Sequence, residues 1–294
     1  MSDALGRLLT PAISIIGWGA PVVVFLSVSG LLAFLFFNGG AALSMEMLFG
    51  EASPIDAVLG RVPVFEGIWP ACVGTFYLVC LSCLLAIPMG IMSGIYMAEY
   101  APRRLRAPMV FATDLIACIP SILMGLFGFA LILFFRSTIF PQAKTGLWLS
   151  ALCMAILILP YCTNATRVAL EGLPEGLRLI GPGLGLSRTQ NVFCILLPAA
   201  LKGIMGGVIL SIGRAAEDTA VILLTGVVAN AGVPRSLLHK YEALPFHIYY
   251  TAAEFRTPLE LKQGFGTALV LLCLTSIIFI GAHGLRRSME KRWR

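Results

Sequence analysis

Six stretches of this chain run far longer without charge than a soluble fold tolerates, and their length sets the architecture. No Asp, Glu, Lys or Arg lies between Arg7 and Glu46, between Glu66 and Glu99, between Lys144 and Arg167, or between Lys262 and Arg286. Two further intervals are nearly clean: Arg106 to Arg136 holds only Asp114, and Lys202 to Arg235 holds only Arg214, Glu217 and Asp218. An α-helix needs about 20 apolar residues to cross the hydrocarbon layer of a bilayer, and each interval supplies them. Inside that layer the backbone must satisfy its own hydrogen bonds, so helices are the expected elements. The reading is an all-α integral membrane protein with six transmembrane helices. Charged residues make up 12% of the 294 residues, against roughly 25% in a soluble domain, so water could not solvate the rest.

Lys and Arg in short loops mark the cytoplasmic side of a membrane. Arg103, Arg104 and Arg106 follow span two, and Arg167, Arg178, Arg188 and Lys202 follow span four. Arg286, Arg287, Lys291, Arg292 and Arg294 follow span six. The connection 38–67 instead carries Glu46, Glu51, Asp56 and Glu66 against Arg61. That connection is expected outside and both termini inside. The net charge of +6 therefore reports topology, and basic residues without interleaved aromatics argue against nucleic acid. The chain divides into a cytoplasmic N-terminus (1–12), a first helix with its external connection (13–66), a core (67–285) and a basic tail (286–294). No small-residue cleavage site follows a short apolar stretch at the start, so the N-terminus is expected to be retained.

Eight cysteines lie almost wholly inside apolar runs. Cys80 and Cys83 form a C-x-x-C, but no second pair or nearby His completes a metal site, and packing is their expected role. The three histidines are scattered, and neither H-E-x-x-H nor G-x-S-x-G occurs, so no catalytic or metal residues are assigned. No G-x-x-x-x-G-K-[ST] occurs either. The chain is expected to bind no cofactor, and any ATP must be held by another subunit.

Ionisable groups inside a span are costly and mark function by default. Arg214, Glu217 and Asp218 are three and four residues apart, so they can share one helix face. They form either an ion pair that locks helices together or a charged ring in a translocation path. Asp114 reads as a link between helices or as a second polar group of that path. Pro120 should kink span three, and Gly125 and Gly128 allow a neighbouring helix to approach closely.

The segment from Leu173 to Pro198 reads LPEGLRLIGPGLGLSRTQNVFCILLP. A Gly followed twelve residues later by Leu-Pro, between two spans, resembles the coupling loop of ABC-importer permeases. In that family a short helix, a Gly turn and a second helix dock into a groove on the ATPase. The resemblance puts Gly185 at the turn, Leu197 and Pro198 at the close, Pro174 and Arg178 in the run-in, and Leu179 and Ser187 on either side of the turn. The family's usual Glu-Ala-Ala is replaced by Leu179, Ile180 and Gly181, with Pro182 after it. A proline there should shorten or reshape the first coupling helix.

Other stretches resemble the phosphate-specific permeases of this family, in order, over about residues 65–285. They are Gly67-Ile68-Trp69-Pro70, Val73-Gly74-Thr75, Glu99-Tyr100-Ala101, Pro120-Ser121-Ile122, Gly125-Leu126-Phe127-Gly128, Arg214-Ala215 with Asp218-Thr219-Ala220, and Leu244-Pro245 with Ile248-Tyr249. Two positions depart. Asn164 stands where those permeases usually carry Arg, and Glu217 where they carry Gly. One positive charge is missing and one negative charge is added.

The resemblance implies the type I ABC importer permease fold in a bacterial inner membrane. It also implies a second homologous permease, two ATPase subunits and a periplasmic phosphate-binding protein, with membrane lipids around them. Arg214 would face the anion, tuned by Glu217 and Asp218, with Asn164, Thr163 and Ser121 as hydrogen-bonding groups along the path. A permease for another oxyanion or small solute, a secondary carrier working alone, and a membrane enzyme or assembly protein are the competing readings. An ATPase partner separates the first from the others.

Overall fold

The computed structural model describes residues 2–59, 61, 62, 64 and 67–292, with side chains described from 17 onwards except at 285 and 289–292. Glu66 and Arg294 lie outside the described residues. Those described form helices joined by turns, with no strand among them and one isolated bridge between Val227 and Tyr241. Six helical stretches are long and apolar enough to cross a membrane: Gly17–Ala42, Trp69–Tyr100, Ser121–Thr138, Leu147–Glu171, Arg188–Glu217 and Pro258–Ser288.

Helix α1 (Ser2–Gly39) is followed by two short helices, α2 (Met45–Phe49) and α3 (Pro54–Val58), each started by a serine cap, Ser44 and Ser53. The most apolar stretch of α1 has no buried residue. Its last turns meet the bundle, where Phe34 packs edge-on against Phe265 at 5.5 Å. Helix α4 (Trp69–Ile95) passes through Pro88 and ends in a wide turn, Tyr96–Tyr100, where Ala101 N–H reaches the Tyr96 carbonyl. Ala101 is extended (φ −63°, ψ 127°) because Pro102 follows it.

Span three is broken rather than kinked. Helix α5 (Arg103–Cys118) stops, Ile119 and Pro120 are extended with ψ of 124° and 134°, and helix α6 (Ser121–Thr138) begins anew. Pro120 lacks an N–H and disfavours helical backbone at Ile119, so the chain cannot carry one ladder through both.

Helix α7 (Leu147–Glu171) is the centre of the core, packed by α4 on one side and by α10 (Leu197–Glu217) on another. Small residues set these contacts. A Cβ on Gly90 would lie 2.8 Å from that of Cys162, one on Gly94 2.6 Å from that of Thr166, and one on Gly203 2.6 Å from that of Ala169. Between α7 and α10 the chain forms α8 (Glu175–Gly183) and α9 (Arg188–Asn191). A wide turn over Val192–Leu196 then leads into α10. This local widening lets Pro198 enter a continuing helix without striking the carbonyl four residues back.

Helix α10 ends at Glu217, Asp218 is extended (ψ 116°), and α11 (Ala220–Thr225) resumes. The loop that follows is stitched to the bundle: Gly146 N–H donates to the Thr225 carbonyl at 3.0 Å, and Leu147 N–H to that of His239 at 3.0 Å. Leu244 N–H donates to Thr75 Oγ1 at 2.8 Å. Helices α12 (Leu244–Glu254) and α13 (Pro258–Arg292) are the last described, and residues 286–292 of the basic tail continue the sixth span as helix.

Candidate functional site

The charged triplet sits at the break between α10 and α11. Arg214 Nη2 pairs with Asp218 Oδ2 at 3.1 Å, with Arg214 42% and Asp218 3% exposed. Asp218 Oδ1 accepts the Val221 N–H at 3.1 Å. One buried carboxylate thus ends α10, caps α11 and holds one edge of the guanidinium. A guanidinium carries five N–H donors in a planar fork, so most of this one remains available to a further acceptor. Glu217 is exposed and has no hydrogen-bond or ion-pair partner among the described residues. Gly206, Leu210, Arg214 and Glu217 are all exposed and run along one stripe of α10.

The break in span three adjoins this site. A Cβ on Gly125 would lie 2.9 Å from the Ala220 carbonyl oxygen, and one on Gly128 2.9 Å from Thr225 Cγ2. Glycine at both positions lets α6 seat directly on α11, one turn beyond Ser121. Ser121 is half-buried in the first turn of α6. Of the six expected path residues, the structure gathers Arg214, Glu217 and Asp218, with Ser121 on the adjoining helix.

Thr163 and Asn164 lie elsewhere. Thr163 is fully buried and donates to the Leu159 carbonyl of its own helix at 2.9 Å. Asn164 has both ends of its amide engaged: Nδ2 donates to Asp114 Oδ1 at 3.0 Å, and Oδ1 accepts from Arg167 Nη2 at 3.3 Å. Arg167 Nη1 pairs with Glu171 Oε2 at 3.4 Å, and Arg106 pairs with the other oxygen of Glu171. These five side chains join α5 to the C-terminal end of α7.

The loop 173–198 forms the helix–turn–helix that its sequence suggests. Pro174 precedes α8, which runs one residue past Pro182. Gly185 has φ +75° with open space around its Cβ position, so its backbone angle rather than crowding calls for glycine. Ser187 caps α9 reciprocally with Gln190, Ser187 N–H donating to Gln190 Oε1 at 2.8 Å. Leu197 and Pro198 open α10. Leu179 and Leu184 are 70% and 71% exposed, and together with Ile180 they form an apolar patch at the loop's tip. Gly181 in place of the family's Ala has a local reason, because a side chain there would overlap the Asn191 amide.

Arg178 turns inward. Its Nη1 donates to Glu99 Oε1 at 2.5 Å and its Nη2 to the Leu170 carbonyl at 2.7 Å. Arg188 donates to the Glu99 carbonyl and lies 5.2 Å from the Tyr100 ring centroid. Glu99 and Glu171 are the ion-pair partners that sequence reasoning left without a role. Both are acids close in sequence to arginines, and that opposition of charge was the available signal.

Two cavities lie apart from these residues. A cleft of about 400 Å³ between the outer ends of α6 and α7 is lined by Leu131, Phe135, Trp148 and Leu238, with Lys144 at its edge, and shares no residue with the charged site. A polar one of about 390 Å³ is lined by Glu46, Glu51 and His247. Burial holds the His247 imidazole below its ordinary value of 6.5. Burial also raises the Glu242 carboxyl, opposed by N–H groups of Gly232 and Ala231. Among the described residues no group of His, Cys, Asp or Glu is placed to hold a metal.

Residues 86–294 match the family described as the binding-protein-dependent transport system inner membrane component. This chain belongs to that family. The permease, a subunit rather than an enzyme, is similar to several named relatives. It is 29% identical over 276 residues to the "Probable ABC transporter permease protein YqgI" of Bacillus subtilis, covering 90% of each chain. It is 31% identical over 244 residues to the phosphate transport system permease protein PstA of Haemophilus influenzae, covering 82% of each. Its fold is similar to that of a solved chain of the MetNI methionine ABC transporter. The TM-score is 0.52 at 19% identity, over 81% of the permease and 99% of that chain. The permease is a multi-pass membrane protein of the type I importer fold, and permeases of its family work with ATPase subunits and a substrate-binding protein.

Proposed function

We propose that this permease carries inorganic phosphate inward through the bacterial inner membrane, with both termini in the cytoplasm. The observation that carries the reading is Arg214: a half-exposed guanidinium in span five, held by Asp218 along one edge and free along the rest. The likeness to a phosphate permease over 82% of the chain supports it. A planar fork of donors suits a phosphate oxyanion, and in a dry site its charge acts at far lower dielectric than in water. The first turn of α6, with Ser121, brings the positive end of an 18-residue helix toward the same break.

The exposed stripe of α10 that carries Arg214 faces a second permease, homologous or another copy, and the path runs between them. Two ATPase subunits dock on the apolar tip formed by Leu179, Ile180 and Leu184. An external phosphate-binding protein delivers the anion, and lipids surround the bundle. ATP binding draws the loops together, and the clamp from Arg178 and Arg188 to Glu99 passes the motion to α4 and α7. This is alternating access about a site near the membrane centre.

The added carboxylate of Glu217 favours a second reading, in which another oxyanion or small solute is carried. Uptake by the complete complex in liposomes decides between them. Phosphate accumulation that requires internal ATP supports the proposal. Transport of sulfate or a neutral solute in its place supports the second reading, and transport without ATP or an ATPase subunit refutes both.

A further inference from the structure

We infer that Arg106, Asp114, Asn164, Arg167 and Glu171 form a polar latch that positions the cytoplasmic half of span three and must open and close during transport. The inference rests on the importer reading above and assigns Asn164 to this latch instead of to the anion path.

Helix α5 is an arm with weak apolar attachment. Among its residues 103–118 only Thr113 is buried. It is separated from α6 by the extended residues Ile119 and Pro120, a hinge about which it can swing without breaking helical hydrogen bonds. What fastens it to the bundle is polar: Asp114 to Asn164 at 3.0 Å, Asn164 to Arg167 at 3.3 Å, Arg167 to Glu171 at 3.4 Å, and Glu171 to Arg106. Two Arg and two acids make the set neutral, so it can sit at the membrane edge without a counter-ion. The set is also incompletely satisfied. Arg167 Nε is buried with no partner among the described residues. A buried donor left unpaired in a native network calls for an explanation, and a second arrangement in which it is paired supplies one.

The latch ends at the root of the coupling loop. Glu171 closes α7, and Arg178 of α8 donates to the carbonyl of the preceding residue, Leu170. Motion of that loop therefore reaches Glu171 first, then Arg106 and α5. Asp114 and Asn164, about two turns further along their helices, set whether the arm lies flat on α7. These are positioning residues, since they act on the path through α5.

An exchange of isosteric groups tests this. Asn164→Asp alone places two carboxylates at the 3.0 Å contact. Asp114→Asn in addition restores a carboxylate–amide pair and leaves Arg167 its acceptor. In the full complex, phosphate taken up per ATP hydrolysed is expected to fall at least about fivefold for Asn164→Asp and to return to within about twofold of wild type in the double variant. Hydrogen exchange across 103–118, which needs no substrate, should quicken in the single variant and recover in the double. A double variant that transports no better than Asn164→Asp overturns the latch and returns Asn164 to the anion path. If Asn164→Asp fails to assemble, the double variant decides alone: an assembled, coupled complex supports the latch and a defective one overturns it. A wild-type complex with no ATP-coupled uptake defeats the importer reading instead, while the exchange measurement still reports on the latch.

Discussion

Arg178, on the first helix of the coupling loop, donates to Glu99 at the end of span two at 2.5 Å and to the last turn of α7 through the Leu170 carbonyl at 2.7 Å. One side chain thereby joins the docking loop to the two helices that form the centre of the bundle. Glu99→Gln keeps the shape of the contact and removes its charge, weakening it by about 1–2 kcal/mol. The complex should assemble and hydrolyse ATP, with phosphate moved per ATP reduced. An unchanged ratio in reconstituted liposomes would show that the clamp does not transmit motion.

At the turn itself, Gly185 has φ +75° and nothing within reach of an added Cβ. Left-handed backbone costs an L-residue roughly 1–2 kcal/mol, and Asn tolerates it better than Ala or Val. ATPase stimulation by the permease should therefore fall in the order Gly, Asn, Ala, Val at position 185. Equal stimulation by the Asn and Val variants would contradict a role for backbone angle.

Arg214→Gln should reduce phosphate uptake on the order of a hundredfold, comparable with losing a principal donor to an oxyanion, while the complex still assembles. Glu217→Gln removes the added negative charge from the exposed stripe and should maintain or raise uptake. Radiolabelled phosphate uptake by the two variants checks both, and near-normal transport by Arg214→Gln would refute the assignment.

His247 carries a pH dependence of its own. Burial lowers the His247 pKa beneath its ordinary 6.5, so folding favours the neutral imidazole. Its contribution to stability is full above the unfolded value and is lost as pH falls through the lowered folded value. Thermal unfolding of the detergent-solubilised permease should shift downward between about pH 7 and pH 5, and His247→Gln should flatten that shift.

The spans were legible because charge-free length is a physical demand of the bilayer, and the intervals ending at Glu46, Glu99, Arg167 and Arg286 gave four of the six directly. The turn at Gly185 was legible because it answers a backbone requirement that leaves a mark in sequence. The breaks were less so. Pro120 announced one, but Asp218 reads as part of a continuous helical face until its carboxylate is seen capping α11. Asn164 was assigned to the path by its place in a pattern. Its partner Asp114 lies fifty residues away, and no local periodicity reveals which distant acid an amide will meet. The reach of Arg178 to Glu99, 79 residues away, was hidden for the same reason.

The central claim is that the apolar tip of 173–198 meets a nucleotide-hydrolysing subunit. A photo-crosslinking residue placed at Leu184, which is 71% exposed, tests it most directly in intact cells. The account predicts a light-dependent adduct with an ATPase subunit, and no adduct from the same probe at Ile55 on the external connection. An adduct with an external protein from position 184, or an ATPase adduct from position 55, would contradict it.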